Sequence, residues 1–340
     1  MKLERYLSVD PANDAGDVAD VADPPPVAVK TRLLAFERQM TVREAITAIA
    51  EASLAHLQAN EAAVRSGTDP EGVHQIRVAV RRLRSGLGIL RRCLPREMVE
   101  RLNVDLQWFA RQLSPARDWD VFRQDCLQPE MMRVPEDRGL KPMLEAVEQQ
   151  RTKAYAAAIA SIDAARYVRL KSELGAWRDR DMSRDVKRKQ GLLLKMPIAE
   201  LAGGMLRRRH KRLRKLGGKH RVLSLAELHA LRIKIKKMRY ATEFFRLLYP
   251  SGPHGKYLAA IVGVQEALGR INDAAEARER LQELAAAVLP DIGLAEAASA
   301  TAARIARQLD EQIEQQRQAF TAAWRKYRRT EPFWSSRPKR

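Results

Sequence analysis

The side chains best placed to do chemistry lie in one run, His74-Gln75-Ile76-Arg77-Val78-Ala79-Val80-Arg81-Arg82-Leu83-Arg84. At about 100° per residue, His74, Arg77, Arg81 and Arg84 fall within roughly an 80° arc of one helix face. Arg82 flanks that arc, and Ile76, Val80, Leu83, Leu87 and Leu90 form a separate apolar stripe. A guanidinium is a planar fork of donors that stays charged, so it can hold two phosphate oxygens at once. A step of three or four residues advances about 5–6 Å along a helix, comparable with the repeat of an extended phosphate chain. Taken alone, one such row reads better as a solvated cationic face.

A second copy changes the balance. His229-Ala230-Leu231-Arg232-Ile233-Lys234-Ile235-Lys236-Lys237-Met238-Arg239 repeats the pattern at an offset of 155 residues. Without a gap, the same offset pairs Arg91 with Arg246, Pro95 with Pro250, Arg101 with Lys256, Leu113 with Leu268 and Asp118 with Asp273. A register this long argues for internal duplication, with two cationic rows able to face one another across a pseudo-twofold axis. Lys236 and Lys237 stand where the first copy has Arg81 and Arg82, supplying mobile point charges in place of forks. Two like-charged rows brought together are unfavourable unless an anion or carboxylates lie between them, which itself points to a polyanion.

The doubled His-x-x-Arg-x-x-x-(Arg/Lys)-(Arg/Lys)-x-Arg helix resembles the CHAD family, the conserved histidine α-helical domain. So does each downstream segment, Leu113-Ser114-Pro115-Ala116-Arg117-Asp118 and Leu268-Gly269-Arg270-Ile271-Asn272-Asp273. Ser114 stands where the second copy has the more family-like Gly269. The resemblance spans roughly residues 41–329. It implies an all-α, internally duplicated domain: two four-helix bundles about a basic central cavity that binds inorganic polyphosphate. It also implies a binding module, often associated with polyphosphate granules, in place of an enzyme. The expected binding residues are then His74, Arg77, Arg81, Arg82, Arg84, His229, Arg232, Lys236, Lys237 and Arg239. Arg91, Arg101, Arg246 and Lys256 form a second tier.

The positioning elements follow from caps and breakers. Thr41 with Glu44, and Ser224 with Glu227, form capping boxes that start helices. The spacing predicts helices over 41–65, from 70 to about 94, over 96–113 and, after an interruption at Ser114-Pro115, over 118–127. A loop is expected at 129–139, then one long helix over 140–177. After a charged linker at 178–190, helices are expected near 197–216, 224–249, 256–289 and 295–327. The first helical repeat is thus 41–180 and the second 181–329. They are flanked by an acidic tail expected to be disordered over 1–40, carrying Asp10, Asp14, Asp17, Asp20 and Asp23, and a short tail expected to be mobile over 330–340. The acidic tail is either a solvated leader or an internal competitor for the basic site. No period-2 alternation supports a sheet, and no run of about eighteen apolar residues could span a membrane.

Composition sets the classes of partner. Lys and Arg number 62 against 42 Asp and Glu, a net charge of +20, which favours polyphosphate, nucleic acid or an acidic membrane surface. Aromatic residues make up 6 % of the chain and do not interleave with the basic rows, as base stacking would require. Nonspecific nucleic-acid binding is therefore the second reading. Cys93 and Cys126 make no disulfide framework, so a cytoplasmic location is expected, and the resemblance implies polyphosphate granules as the destination there. For His74 and His229 three roles stand open: a helix-start hydrogen bond, a phosphate contact or a metal ligand. Cationic neighbours and the absence of adjacent ligand-spaced Cys or carboxylates weigh against the metal, and no cofactor is expected. Asp118 and Asp273, one per copy, are expected to orient arginines. Asp120 has Ala275 as its counterpart, so no paired-carboxylate site repeats and a hydrolytic mechanism lacks its parts. The dense run Arg207–Arg212 covers every face of its helix and reads as a solvated surface that could also extend the site. The pattern specifies no oligomeric state.

Overall fold

A computed structural model describes residues 26–31, 34–67, 69–177, 186–287 and 292–335. The aspartates of residues 10–23 and most of the charged linker lie outside the described residues. What is described is all-helical, with no strand and a single isolated bridge between Thr41 and Pro197. Helix α1 spans Val42–Ser66 and opens on the Thr41–Glu44 capping box. It closes at Gly67, whose φ of 65° is a left-handed cap that suits a residue without Cβ. Helix α2 spans Pro70–Leu90, capped by Asp69 with proline in its first turn. These two helices pack against one another and share a core of Ile46, Ile49, Leu57, Ile76, Val80 and Leu83.

Helix α3 runs from Arg96 to Phe122, straight through Pro115. The interruption expected at Ser114-Pro115 is absent because Leu113 and Ala116 are buried on either side of the proline, and packing outweighs one lost ladder bond. The Ser114 hydroxyl meanwhile donates to the Ala110 carbonyl at 2.7 Å. A π-turn over Arg123–Leu127 follows. The expected loop then begins instead with a short helix, α4, over Gln128–Arg133. Buried Glu130 accepts from Arg133 within this helix and from Arg304 of the second half, which ties the two together. The long helix expected over 140–177 is bent into α5, Leu140–Asp163, and α6, Ala165–Gly175, because Ala164 is extended at ψ 135°.

In the second half, α7 spans Arg188–Lys195 and α8 Ile198–Leu216. Helix α9 spans Leu225–Phe244 and starts on the Ser224–Glu227 capping box. Helices α10, Ser251–Ala287, and α11, Ile292–Arg329, form the longest antiparallel pair. Helix α2 packs on α9, and α5 on both α10 and α11, so the halves share one core with a smaller cluster around Phe122, Met143 and Leu281.

Both expected tails turn out to be anchored where they are described. Phe36 is fully buried, stacks on Phe244 with ring centroids 5.3 Å apart, and its N–H donates to the Phe244 carbonyl. Val29 and Asn60 exchange two hydrogen bonds, so residues 26–31 and 34–40 lie as a strap over α1 and α9. At the other end Phe333 and Trp334 insert among Tyr249, His254, Tyr257 and His210. Each tail contributes large aromatic surface to the core, and that burial holds it in place.

Close approach also fixes α8 against α11. A Cβ added at Gly217 would stand 2.0 Å from the Trp324 ring, itself fully buried. A rigid indole inside a packed core cannot yield that space cheaply. Gly217→Ala is therefore expected to lower stability by about 1–3 kcal/mol, read as a lower denaturation midpoint in guanidinium with an unchanged slope.

Candidate functional site

The cationic rows of α2 and α9 meet where those helices pack. The Arg81 Nε donates to the Tyr240 hydroxyl at 2.5 Å, linking the first row to α9. Lys236, half-buried one turn beyond Arg232, has its ammonium pKa pulled down to about 7. Burial is the main cause, followed by the positive fields of Arg232 and Arg81 and then Arg77, with Asp273 opposing them. Arg77, Arg81, Arg232 and Lys236 thus share one neighbourhood. Lys236 has no ion pair within it among the described residues.

The two carboxylates stand at equivalent places. Asp118 on α3 faces Arg77 at 3.8 Å, and Asp273 on α10 faces Arg232 at 3.2 Å. Arg280 of α10 also approaches Asp118, at 3.5 Å, bridging the halves. Burial raises the pKa of both carboxyls, while Arg77 and Arg232 respectively counteract it. Arg77 additionally donates to the Ser114 hydroxyl, which is where the two copies differ, so the serine supplies a contact that Gly269 cannot.

The histidines have unlike surroundings. His229 is exposed and its Nδ1–H donates to the Asn272 side-chain oxygen, while Asn272 in turn donates to Glu276 at 2.8 Å. That is a helix-start histidine tied to the next helix. His74 has its pKa lowered to about 4, by burial first and then by Arg117, the counterpart of Asn272. It is neutral at pH 7 in the free protein. No group of three or more His, Cys, Asp or Glu side chains is arranged to hold a metal ion among the described residues.

The remaining predicted residues divide. Arg82 and Arg239 converge on Glu243, at 3.7 and 2.7 Å, inside the α2–α9 packing. Arg82 is buried and its guanidinium lies over the Phe244 ring, so it belongs to the helix interface more than to the open row. Arg84 and Lys237 form a second cationic group with Lys234, Arg91 and Arg209: burial lowers the Lys237 pKa first, then Lys234, Arg84, Arg209 and Arg91. The Arg84 Nε is buried without a hydrogen-bond partner, and Arg111 adds to its positive surroundings. Arg101 is drawn away from both groups by an ion pair with Glu173 of α6. Arg246 sits in a turn with its Nε buried and unpartnered, and Lys256 is exposed at the start of α10.

Several residues had gone unnominated. Arg209 reaches from α8 to donate to the Gly88 carbonyl of α2 at 2.7 Å. Burial, with Arg208, Arg212 and Arg91 adding to it, lowers its pKa to about 10. Its run of basic residues hid which member points inward. Arg117 and Arg280 carry charge to the first group, and Arg117 lay in the motif segment itself. A small cleft lined by Leu34, Ser53, His56, Arg82 and Phe244 lies beneath the strap, a different place from the cavity expected between the rows.

Comparison with known proteins bears on this arrangement. A family profile described as the CHAD domain matches residues 48–282. The crystal structure of the CHAD domain from the plant Ricinus communis superimposes with a TM-score of 0.73 at 32 % identity, covering 88 % of this chain and 96 % of that one. PptA from Streptomyces chartreusis superimposes with a TM-score of 0.65 over 84 % of this chain and 100 % of its own, at 15 % identity, a likeness of fold alone. No curated protein matches the chain in sequence. With the doubled motif, the all-α fold and a profile match over most of its length, the chain belongs to the CHAD domain family.

Proposed function

We propose that this protein binds inorganic polyphosphate without turning it over, through the facing rows of α2 and α9, and that it acts in the cytoplasm at polyphosphate granules. The observation that carries the reading is the gathering of Arg77, Arg81 and Arg232 about the half-buried Lys236, whose pKa is lowered to about 7 by burial first and then by those guanidiniums. Protein charges left this uncompensated favour an anionic ligand that supplies what is missing. Polyphosphate fits because it has no bases to read and presents charge at regular intervals, which serial forks can follow. Arg84, Arg91, Arg209 and Lys237 extend the row for a longer chain. Asp118 and Asp273 hold arginines in place, and neither stands free to act as a general base.

Nucleic acid is the competing ligand, since its backbone would feel the same field and show the same salt sensitivity. Tyr240, the aromatic ring nearest the rows, is buried and hydrogen-bonded to Arg81, so it offers no stacking face. A competition titration separates the two. Polyphosphate is expected to displace fluorescent duplex DNA at roughly tenfold or lower phosphate-equivalent concentration than DNA needs to displace polyphosphate. Equal displacement in both directions would favour a general polyanion binder.

A further inference from the structure

A second cationic surface lies where α8 runs into α9. The connecting turn, residues 217–224, packs on the end of α11: Gly217 abuts Trp324, and the His220 ring lies against Phe320 and Trp324. Burial lowers the His220 pKa, and the positive fields of Arg221, Arg328 and Arg325 lower it further, so guanidiniums from the turn and from α11 converge there. With Lys215 and Lys219 they form an exposed patch in which none makes an ion pair among the described residues. The nearby carboxylates are Glu227, which is engaged in the Ser224 cap and feels Lys219, and Glu331 beyond the helix.

Cations at helix C-termini complement the macrodipole, and α8 and α11 both end here. That accounts for two or three charges, and it leaves unexplained the apolar side chains set among them. Val222 is 77 % exposed and Leu225 42 % exposed in the same turn. A linear polyphosphate or a duplex backbone offers an apolar side chain nothing. A headgroup layer over hydrocarbon accepts both components at once, because lysine and arginine are drawn to anionic lipid while a short apolar tip enters the acyl boundary. We propose that the turn of residues 217–225, together with the last turns of α11, docks on an anionic lipid bilayer, with Val222 and Leu225 entering the interface. This surface is independent of the polyphosphate reading.

Vesicle co-sedimentation of the full chain tests it. Wild type is expected to sediment with phosphatidylcholine vesicles that contain phosphatidylserine and to stay in solution with phosphatidylcholine alone. Lys219→Glu/Arg221→Glu/Arg325→Glu/Arg328→Glu should weaken partitioning by at least about tenfold. The charge-neutral Val222→Ser/Leu225→Ser should weaken it several-fold, and unchanged thermal melts would show both variants folded. The assignment is overturned if neither variant loses binding, or if neutral vesicles bind as well. It is equally overturned if the serine variant keeps full vesicle binding while the charge variant loses duplex DNA and vesicles alike, the mark of an unspecialised polyanion surface. Polyphosphate affinity should stay level in both variants, so failure of the granule-ligand reading would appear separately, in wild type.

Discussion

Replacing Arg77, Arg81, Arg232 and Lys236 with alanine together is expected to lower affinity for long-chain polyphosphate by about three orders of magnitude at moderate salt. Hydrogen bonds to charged groups contribute about 1.5–3 kcal/mol each, and contacts within one cluster add less than their sum. Four such contacts would sum to about 6–12 kcal/mol if additive, and their sub-additivity brings the loss down toward the 4 kcal/mol or so that a thousandfold represents. The plot of log affinity against log salt should flatten as counterion release is lost with the cations. Helicity should persist, because these side chains repel one another in the free protein, and their removal opens no apolar cavity. Asp118 retains Arg280 as a partner, and the Asp273 carboxyl is half-exposed to water, so neither is left as an uncompensated buried charge. Isothermal titration alongside circular dichroism reads both quantities. An affinity within tenfold of wild type would move the site away from the α2–α9 contact.

The meeting of the rows was legible in the sequence because a repeated spacing marks a face that one solvated row would not. Arginines at helical spacing are common, but the same spacing recurring at Arg232 and Lys236 selects Arg77 and Arg81. Repetition failed where the two halves diverge. Tyr240 and Glu243 bind Arg81 and Arg82, yet their counterparts at the same offset are Ser85 and Gly88, so no pattern marked them. Arg82 was indistinguishable from its neighbours until Glu243 drew it into the helix interface.

Helix starts were legible for a local reason: Thr41 and Ser224 each carry a glutamate three residues on, and both reciprocal caps form. Helix continuity depended on tertiary contacts. Pro115 reads as a break but sits between buried Leu113 and Ala116, whereas Ala164, a good helix former, takes an extended conformation that bends α5 into α6. Periodicity is silent about the strap and the C-terminal anchor. A single Phe36, or the Phe333-Trp334 pair, has no repeat from which to infer a buried face.

The second large effect concerns pH. Polyphosphate affinity should fall by about tenfold to thirtyfold between about pH 7 and 8.5, approaching a factor of ten per unit. The titrating group is Lys236, whose pKa in the free protein is about 7. Burial disfavours its proton most, Arg232 on its own helix and Arg81 and Arg77 from α2 add to that, and Asp273 from α10 opposes them. A bound polyanion adds negative charge beside the amine and restores the pKa toward the ordinary lysine range. Below pH 7 the proton is already in place and affinity levels off. Above it, each binding event must take up a proton, so affinity declines as protons become scarce. Without ligand the sign reverses: the unfolded chain holds the Lys236 proton to higher pH than the folded one, so this group makes the free protein more stable as pH rises above 7. His74 does not contribute in this window, since burial has moved its titration down to about 4. The group that titrates in this window is thus a lysine whose counterpart in the first copy is Arg81. Lys236→Arg installs that residue, and its affinity should be nearly flat over the same range. Titrations in buffers of differing ionisation enthalpy should show close to one proton taken up by wild type at about pH 8 and almost none by the variant. Equal proton uptake by the two proteins would remove Lys236 from the site.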